Sequence, residues 1–218
     1  MFSTSPKPMD SLIALSPVIP VVKVPSADAA VEVARALLRG GVRIIELTLR
    51  TPAGMDAIRA IASDVPEMAV GAGTVTKPEQ VNGALDAGAQ FIVTPGAPAE
   101  LVRAVHATGA PALLGAGTVS EMMALANAGW KTLKFFPAEA AGGTKYLSSV
   151  RGPLPDIQFC PTGGINLKNA PDYLALPNVP CVGGSWLTPD AAIQAGDWGV
   201  IEGLAADMMA VLAPRANA

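Results

Sequence analysis

One lysine stands where lysines seldom stand. In Thr132-Leu133-Lys134-Phe135-Phe136 an ammonium group occupies the middle of a short apolar run that reads as a β-strand, although charged side chains are rarely buried without a partner. Alternate strand residues share a face, so Lys134 points the same way as Thr132 and Phe136, while Leu133 and Phe135 point the other way. Removal from water beside an aromatic wall destabilises the ammonium form, and the neutral amine attacks carbonyl carbon. Two readings of Lys134 follow. It is a Schiff-base nucleophile, or it reaches the rim or pairs with one carboxylate for structural reasons.

A carboxylate and a guanidinium occupy a second run of the same kind. Along Arg43-Ile44-Ile45-Glu46-Leu47-Thr48-Leu49-Arg50, Ile44, Glu46, Thr48 and Arg50 share one strand face and Ile45, Leu47 and Leu49 the other. With the fully apolar set packed under helices, Glu46 and Arg50 face the opposite side, and Arg50 lies nearer the C-terminal end. A buried carboxylate there serves as a proton shuttle beside Lys134, or forms a structural ion pair with Lys134 or Arg50. The planar fork of Arg50 suits a substrate carboxylate; the alternative is a solvated side chain. Near the C-terminus, Thr162-Gly163-Gly164 and Gly183-Gly184-Ser185 each follow an apolar run. Paired glycines at two such ends can present backbone amides to a phosphate, or can simply make tight turns.

These residues need a scaffold, and the chain supplies a regular one. Apolar runs at Val18 to Val24, Arg43 to Arg50, Met68 to Thr74, Gln90 to Thr94, Ala112 to Leu114, Thr132 to Phe136, Ile157 to Thr162 and Val179 to Val182 alternate with Ala-rich stretches of helical period. About eight strands, each followed by a helix, predict a (β/α)8 TIM barrel, with an open doubly wound sheet as the alternative. No dinucleotide fingerprint follows the first strand, which favours the barrel. In a barrel the ends of these strands converge on one rim, where active sites form.

Helix punctuation agrees with this rhythm. Thr76 with Glu79, and Thr118 with Glu121, have capping-box spacing, and Gly88 and Gly129 stand where those helices would stop. Helices are expected over Ala27 to Arg39 and from about Val200 to Leu212, leaving residues 1–16 as an N-terminal segment and 214–218 as a tail. Gly71-Ala72-Gly73-Thr74-Val75 recurs as Gly115-Ala116-Gly117-Thr118-Val119, as if successive units were copies; close packing explains the small residues as well as ligand approach does.

Composition narrows the field further. Half of the 218 residues are apolar, enough for one large core. Gly, Pro or charge breaks the apolar runs well short of a membrane span, and the first ten residues are polar without a signal-peptide core behind them, so an intracellular protein with no membrane partner is expected. A net charge of −3 without a basic run argues against nucleic acid. Cys160 and Cys181 are too few and too far apart for a metal knuckle or a redox pair and read as buried thiols. With His106 as the one histidine, neither a histidine metal site nor a Ser-His triad can be assembled.

Several segments together resemble a known family. Val42-Arg43-Ile44-Ile45-Glu46-Leu47-Thr48-Leu49-Arg50-Thr51, Gly71-Ala72-Gly73-Thr74-Val75, Lys134-Phe135-Phe136-Pro137-Ala138-Glu139, Phe159-Cys160-Pro161-Thr162-Gly163-Gly164-Ile165 and Gly183-Gly184-Ser185-Trp186-Leu187 are similar to 2-keto-3-deoxy-6-phosphogluconate (2-dehydro-3-deoxy-phosphogluconate) aldolase / 4-hydroxy-2-oxoglutarate aldolase, from about Pro17 to the last helix. The resemblance implies a cytoplasmic class I aldolase of the Entner-Doudoroff pathway, usually a homotrimer, needing no metal or organic cofactor. It would cleave 2-dehydro-3-deoxy-6-phospho-D-gluconate, a phosphorylated keto acid, to pyruvate and D-glyceraldehyde 3-phosphate. It implies Lys134 as Schiff-base lysine, Glu46 as acid/base, and Arg50 with Thr74 as carboxylate site. Thr162, Gly163, Gly164, Gly184 and Ser185 would surround the phosphate, with Pro95 and Phe136 shaping the pocket. Alternatives are main activity on 4-hydroxy-2-oxoglutarate or the galactonate epimer, or a non-catalytic sugar-phosphate-binding barrel. One segment departs from the pattern: Leu114-Gly115-Ala116-Gly117-Thr118 replaces the family's Pro-Gly-Ile-Ser-Thr, which puts loop stiffness and aldehyde selectivity in question.

Overall fold

Alternating β and α signals produce a ring of eight parallel strands, as expected. The computed structural model describes residues 7–212, so the expected tail at 214–218 lies outside the described residues. The elements are α1 (Asp10–Ile13), β1 (Val18–Val22), α2 (Ala27–Arg39), β2 (Ile44–Thr48), α3 (Gly54–Asp64), β3 (Ala69–Gly73), α4 (Pro78–Asp86), β4 (Phe91–Val93), α5 (Ala99–Thr108), β5 (Ala112–Ala116), α6 (Val119–Asn127), β6 (Thr132–Phe135), α7 (Gly143–Val150), β7 (Gln158–Pro161), α8 (Ala170–Leu174), β8 (Val182–Gly184), α9 (Asp190–Ala195) and α10 (Trp198–Leu212). Sheet order runs β7-β6-β5-β4-β3-β2-β1-β8, and a parallel bridge between Thr162 and Gly183 closes the ring. This is a (β/α)8 TIM barrel of a single domain.

Local chemistry accounts for most boundaries. Helix α2 spans the expected residues: the Ser26 side chain accepts the Ala29 N–H at 3.2 Å, and Ala30, Val31, Val33, Ala34, Ala36 and Leu37 form its buried face. The cap of α6 also forms as expected, with Thr118 Oγ1 accepting the Glu121 N–H and Glu121 Oε2 accepting the N–H groups of Gly117 and Thr118. The box expected at Thr76 and Glu79 is displaced by one residue. Pro78 takes the first helical position, so Gln80 is the residue that reaches back, accepting from Thr76 N and Lys77 N at 2.9 and 3.1 Å.

Glycine misled the strand boundaries. The fifth strand runs through Gly115 to Ala116. The eighth is Val182–Gly184 rather than Val179 to Val182, pairing with Val18, Ile19 and Pro20 of β1. Gly183 was read as a terminator, yet it belongs in the ladder because the Thr162 side chain fills the space a Cβ would take.

The barrel interior has two storeys. Outward-facing strand residues such as Ile45, Leu47, Leu133 and Phe135 pack under the helices in the main core. Inside, the lower storey is apolar: Ile19, Ile44, Ala69, Phe91, Val93, Leu113, Cys160 and Cys181 form a second cluster closed by Met9 and Ile13. Polar composition hid this plug: in the described part of the N-terminal segment Met9 and Ile13 are buried in it, with Leu12 and Leu15 packed against it. Cys160 and Cys181 are buried free thiols as expected, but they are neighbours in space. Each lies two residues before the Thr162–Gly183 bridge, and a hydrogen bond with Cys160 together with complete burial holds the Cys181 thiol well above its usual range. Sequence distance was no guide across a closed sheet. Above the plug, the interior turns polar.

Candidate active site

The upper storey is built around one ion pair. Lys134, third residue of β6, and Glu46, third residue of β2, reach across the barrel until Lys134 Nζ donates to Glu46 Oε1 at 3.1 Å and stands 3.4 Å from Oε2. Their side chains are 7 % and 3 % exposed. Burial of two ions costs several kcal/mol per ion, repaid only by good geometry, so such a pair is a poor device for stability alone. The register explains why they meet. Lys134 lies opposite Cys160 and Gly115, and Thr48, two residues beyond Glu46, lies opposite Gly73. A Cβ at Gly73 would overlap the Glu46 carboxylate, so glycine there is what lets the carboxylate stand upright toward Lys134. The Phe136 ring centroid is 5.7 Å from the ammonium, within cation-π range.

Arg50 was expected to face the interior as part of the strand. The strand instead stops at Thr48, and Arg50 sits exposed in the turn that follows. Its Nε donates to Thr48 Oγ1 at 3.2 Å, while Thr48 donates to the Val22 carbonyl at 2.8 Å. The outer guanidinium nitrogens of Arg50 have no hydrogen-bond partner among the described residues. Thr48 was named in the sequence only as a face-mate of Glu46 and Arg50; that alternation was the signal for its role in holding Arg50. Thr74 directly follows β3, half-buried, with φ +58. For a β-branched residue the left-handed region costs about 1–2 kcal/mol, and strain of this kind gathers at ligand sites.

The remaining expected residues line the same C-terminal rim. Pro95, half-buried, follows β4, and its backbone approaches β5 so closely that a Cβ on Gly115 would strike it. Phe136, 38 % exposed, ends β6. Buried Thr162 with Gly163 and Gly164 ends β7, and Gly184 with exposed Ser185 ends β8. Gly163 and Gly164 adopt φ +105 and +81, where side chains are strained. The carbonyls of Thr162, Gly163 and Gly164 each accept a hydrogen bond, from Ala138 N (2.8 Å), Glu139 N (3.1 Å) and Asn169 Nδ2 (3.1 Å). The bridge between Thr162 and Gly183 turns the Gly163 N–H toward the Gly183 carbonyl, while no backbone acceptor is found for the Gly164 N–H among the described residues. The Gly164 amide, beside Ser185 at the same rim, can receive an anion. A cavity of about 950 Å³ opens at the opposite end of the barrel, lined by Met9, Ile13, Thr132 and Gln158 among others, and none of these rim residues lines it.

The chain is similar to known proteins along most of its length. Residues 9–204 match the family model described as KDPG and KHG aldolase. The KHG/KDPG aldolase of Escherichia coli K12 is 50 % identical over 90 % of this chain and 92 % of its own. The 2-dehydro-3-deoxy-phosphogluconate aldolase of Dickeya dadantii is 48 % identical over 92 % and 94 %. A KDPG aldolase from Legionella pneumophila, solved with pyruvate captured as a covalent carbinolamine intermediate, superposes with a TM-score of 0.90 at 42 % identity, covering 93 % of this chain and 98 % of that one. The Zymomonas mobilis enzyme with 3-phosphoglycerate gives 0.88 at 38 % identity, over 95 % and 97 %. An eight-stranded barrel carrying a buried lysine-glutamate pair, matched along nine-tenths of its length, places this chain in the KDPG and KHG aldolase family.

Proposed function

We propose that this protein is a class I aldolase in which Lys134 and Glu46 carry out the cleavage of 2-dehydro-3-deoxy-6-phosphogluconate to pyruvate and glyceraldehyde 3-phosphate. The observation that carries the reading is the 3.1 Å contact between two otherwise buried charges at the mouth of the barrel. Passage of one proton from Lys134 to Glu46 leaves a neutral amine, which adds to the keto carbon to give a carbinolamine. Glu46 returns that proton to the carbinolamine hydroxyl, which leaves as water to give a protonated imine and an ionised Glu46. The imine is the electron sink that draws the pair from the bond between carbons 3 and 4. Glu46 takes the proton from the hydroxyl on carbon 4 as that bond breaks and the aldehyde forms. The enamine left on Lys134 is protonated at carbon 3, and hydrolysis of the imine releases pyruvate. The apolar plug below keeps bulk water from reaching the pair from beneath.

Arg50 and Thr74 hold the carboxylate end in this reading, supported by the free guanidinium nitrogens and the left-handed backbone at the same edge. Thr162, Gly163, Gly164, Gly184 and Ser185 hold the phosphate, supported by the Gly164 amide at that rim, and Pro95 and Phe136 wall the pocket between. Fixing both ends converts binding energy into alignment at the reacting centre. The names of the relatives and the two ligand-bearing relatives support the assignment. The lysine and glutamate do not touch the distal end of such a substrate, so 4-hydroxy-2-oxoglutarate is a second substrate, as the name of the E. coli relative suggests. Cytoplasmic placement and homotrimeric assembly belong to the same proposal. Two free buried thiols support the first, and the exposed apolar side chains of Val119 and Met123 on α6 the second, which sedimentation would measure.

The test is Glu46→Gln, assayed by pyruvate release. The amide keeps shape and an acceptor for Lys134 but cannot shuttle the proton, so kcat falls by about 10²-fold or more. A variant that keeps most of its rate would move the proton shuttle to another group.

A further inference from the structure

Glu139 follows the Phe136-Pro137 turn at the end of β6 and carries an interaction that none of the steps above uses. Its carboxylate accepts a short hydrogen bond from the Tyr173 hydroxyl. Tyr173 lies on α8 with 1 % of its surface exposed, so the carboxylate is anchored to the buried core of the barrel wall. Between its two ends Glu139 meets the glycine turn. Its N–H donates to Gly163 O at 3.1 Å, and a Cβ on Gly164 would sit 2.6 Å from Glu139 Cγ. The glycine turn therefore rests on the Glu139 side chain. On the far side, Gly143 leaves room for the anchor, because a Cβ there would stand 3.1 Å from the Tyr173 hydroxyl and 3.3 Å from Glu139 Oε1. Asn169 completes the support through Gly164 O.

We infer that Glu139, braced by Tyr173, is a positioning residue for the phosphate end of the substrate, setting how the Gly163-Gly164 turn presents its backbone, the Gly164 amide above all, without touching the reacting atoms. The inference rests on the phosphate reading of those glycines. The physical case is that the turn has left-handed φ at two successive residues, a shape with wide freedom unless something outside it fixes the peptide planes. All three carbonyls of Thr162, Gly163 and Gly164 are fixed from outside, and Glu139 is the one residue that does so through both backbone and side chain. Burial first, and then the hydrogen bond and charge of Glu139, push the Tyr173 phenol above its usual range. The hydroxyl thus remains a donor throughout the working pH range of such an enzyme.

The experiment compares one sugar acid with and without its phosphate, 2-dehydro-3-deoxy-6-phosphogluconate and 2-dehydro-3-deoxygluconate, on wild type, Tyr173→Phe and Glu139→Gln. Tyr173→Phe removes only the donor, and a phenylalanine fits the same pocket. Its KM for the phosphorylated acid rises about tenfold, the size of losing one charge-assisted bond, while kcat and the KM for the unphosphorylated acid stay within about twofold. Glu139→Gln keeps an acceptor for the tyrosine and stays within about threefold of wild type on both. Equal loss on both acids in Tyr173→Phe, or an unchanged KM for the phosphorylated one, overturns the inference. A wild-type enzyme indifferent to the phosphate would instead remove the phosphate reading on which it rests. A wild type that discriminates, beside a Tyr173→Phe variant that discriminates equally, removes the brace alone.

Discussion

Gly71-Ala72-Gly73-Thr74-Val75 and Gly115-Ala116-Gly117-Thr118-Val119 share five residues in order, and the barrel uses them for opposite purposes. On β3, a Cβ at Gly71 would overlap the Phe91 ring and one at Gly73 the Glu46 carboxylate; Thr74 then turns left-handed at φ +58. On β5, Gly115 makes room for the backbone at Pro95, Gly117 gives its N–H to Glu121 at 2.9 Å, and Thr118, extended at φ −129, caps α6. The first copy admits the carboxylate proposed as acid/base and forms the edge proposed to bind the substrate carboxylate. The second fastens a loop to a helix. What separates them is not local sequence but what neighbouring strands push into the space the glycines leave.

That contrast can be broken in order of size. Gly73→Ala puts a methyl group where the Glu46 carboxylate stands, so kcat should fall by about 10²-fold, as in Glu46→Gln, with a stability loss of about 1–3 kcal/mol from overpacking. Wild-type turnover in that variant would mean that Glu46 does its work from another position. Thr74→Gly relieves the left-handed backbone and removes the hydroxyl. Melting temperature should hardly move, because relief of strain and the added freedom of the unfolded chain oppose each other. KM for the keto acid should rise by about tenfold if the hydroxyl binds the carboxylate; an unaltered KM would make Thr74 a turn residue only.

The second copy should respond in stability and not in rate. Thr118→Ala removes the cap of α6 and should cost about 1 kcal/mol in denaturant titration, leaving kcat and KM as they were. A large loss of activity would contradict the scaffold role. Part of this cap is electrostatic. The Gly117 N–H, opposed in part by burial and helped by the Thr118 hydroxyl and N–H, lowers the Glu121 carboxyl below 4.5. A folded value below the unfolded one adds stability that is complete above pH 4.5 and fades as pH falls through the lowered value. The difference between wild type and Glu121→Gln should therefore shrink in acid; exposure of Glu121 keeps it small at any pH.

Lys134 and Glu46 were legible in the sequence because each interrupts an apolar alternation with a charge, and a strand's period of two fixes which way that charge points. Helix α2 was legible from its cap and stripe. Thr74 was not, since its five-residue run is the same in both copies and φ depends on the loop that β3 must join. Nor could the sequence pair Cys160 with Cys181, lying on opposite edges of the open strand order and joined only when β7 meets β8. Arg50 read as a strand residue because alternation continues past the last ladder bond, and nothing in the pattern marks where pairing ends. The contact between Glu139 and Tyr173 joins residues on different βα units, with no periodic signal at either.

Lys134 is the residue proposed to bond covalently to the substrate. Incubation with pyruvate and borohydride, followed by peptide mass mapping, should add one reduced pyruvyl group per chain, at Lys134. Lys131, exposed just before β6, and Lys145 on α7 should remain unlabelled, and Lys134→Met should give no adduct and almost no cleavage. Label on Lys131 or Lys145 instead, or full activity in the methionine variant, would contradict the Schiff-base assignment and leave a non-catalytic sugar-phosphate-binding barrel as the better description.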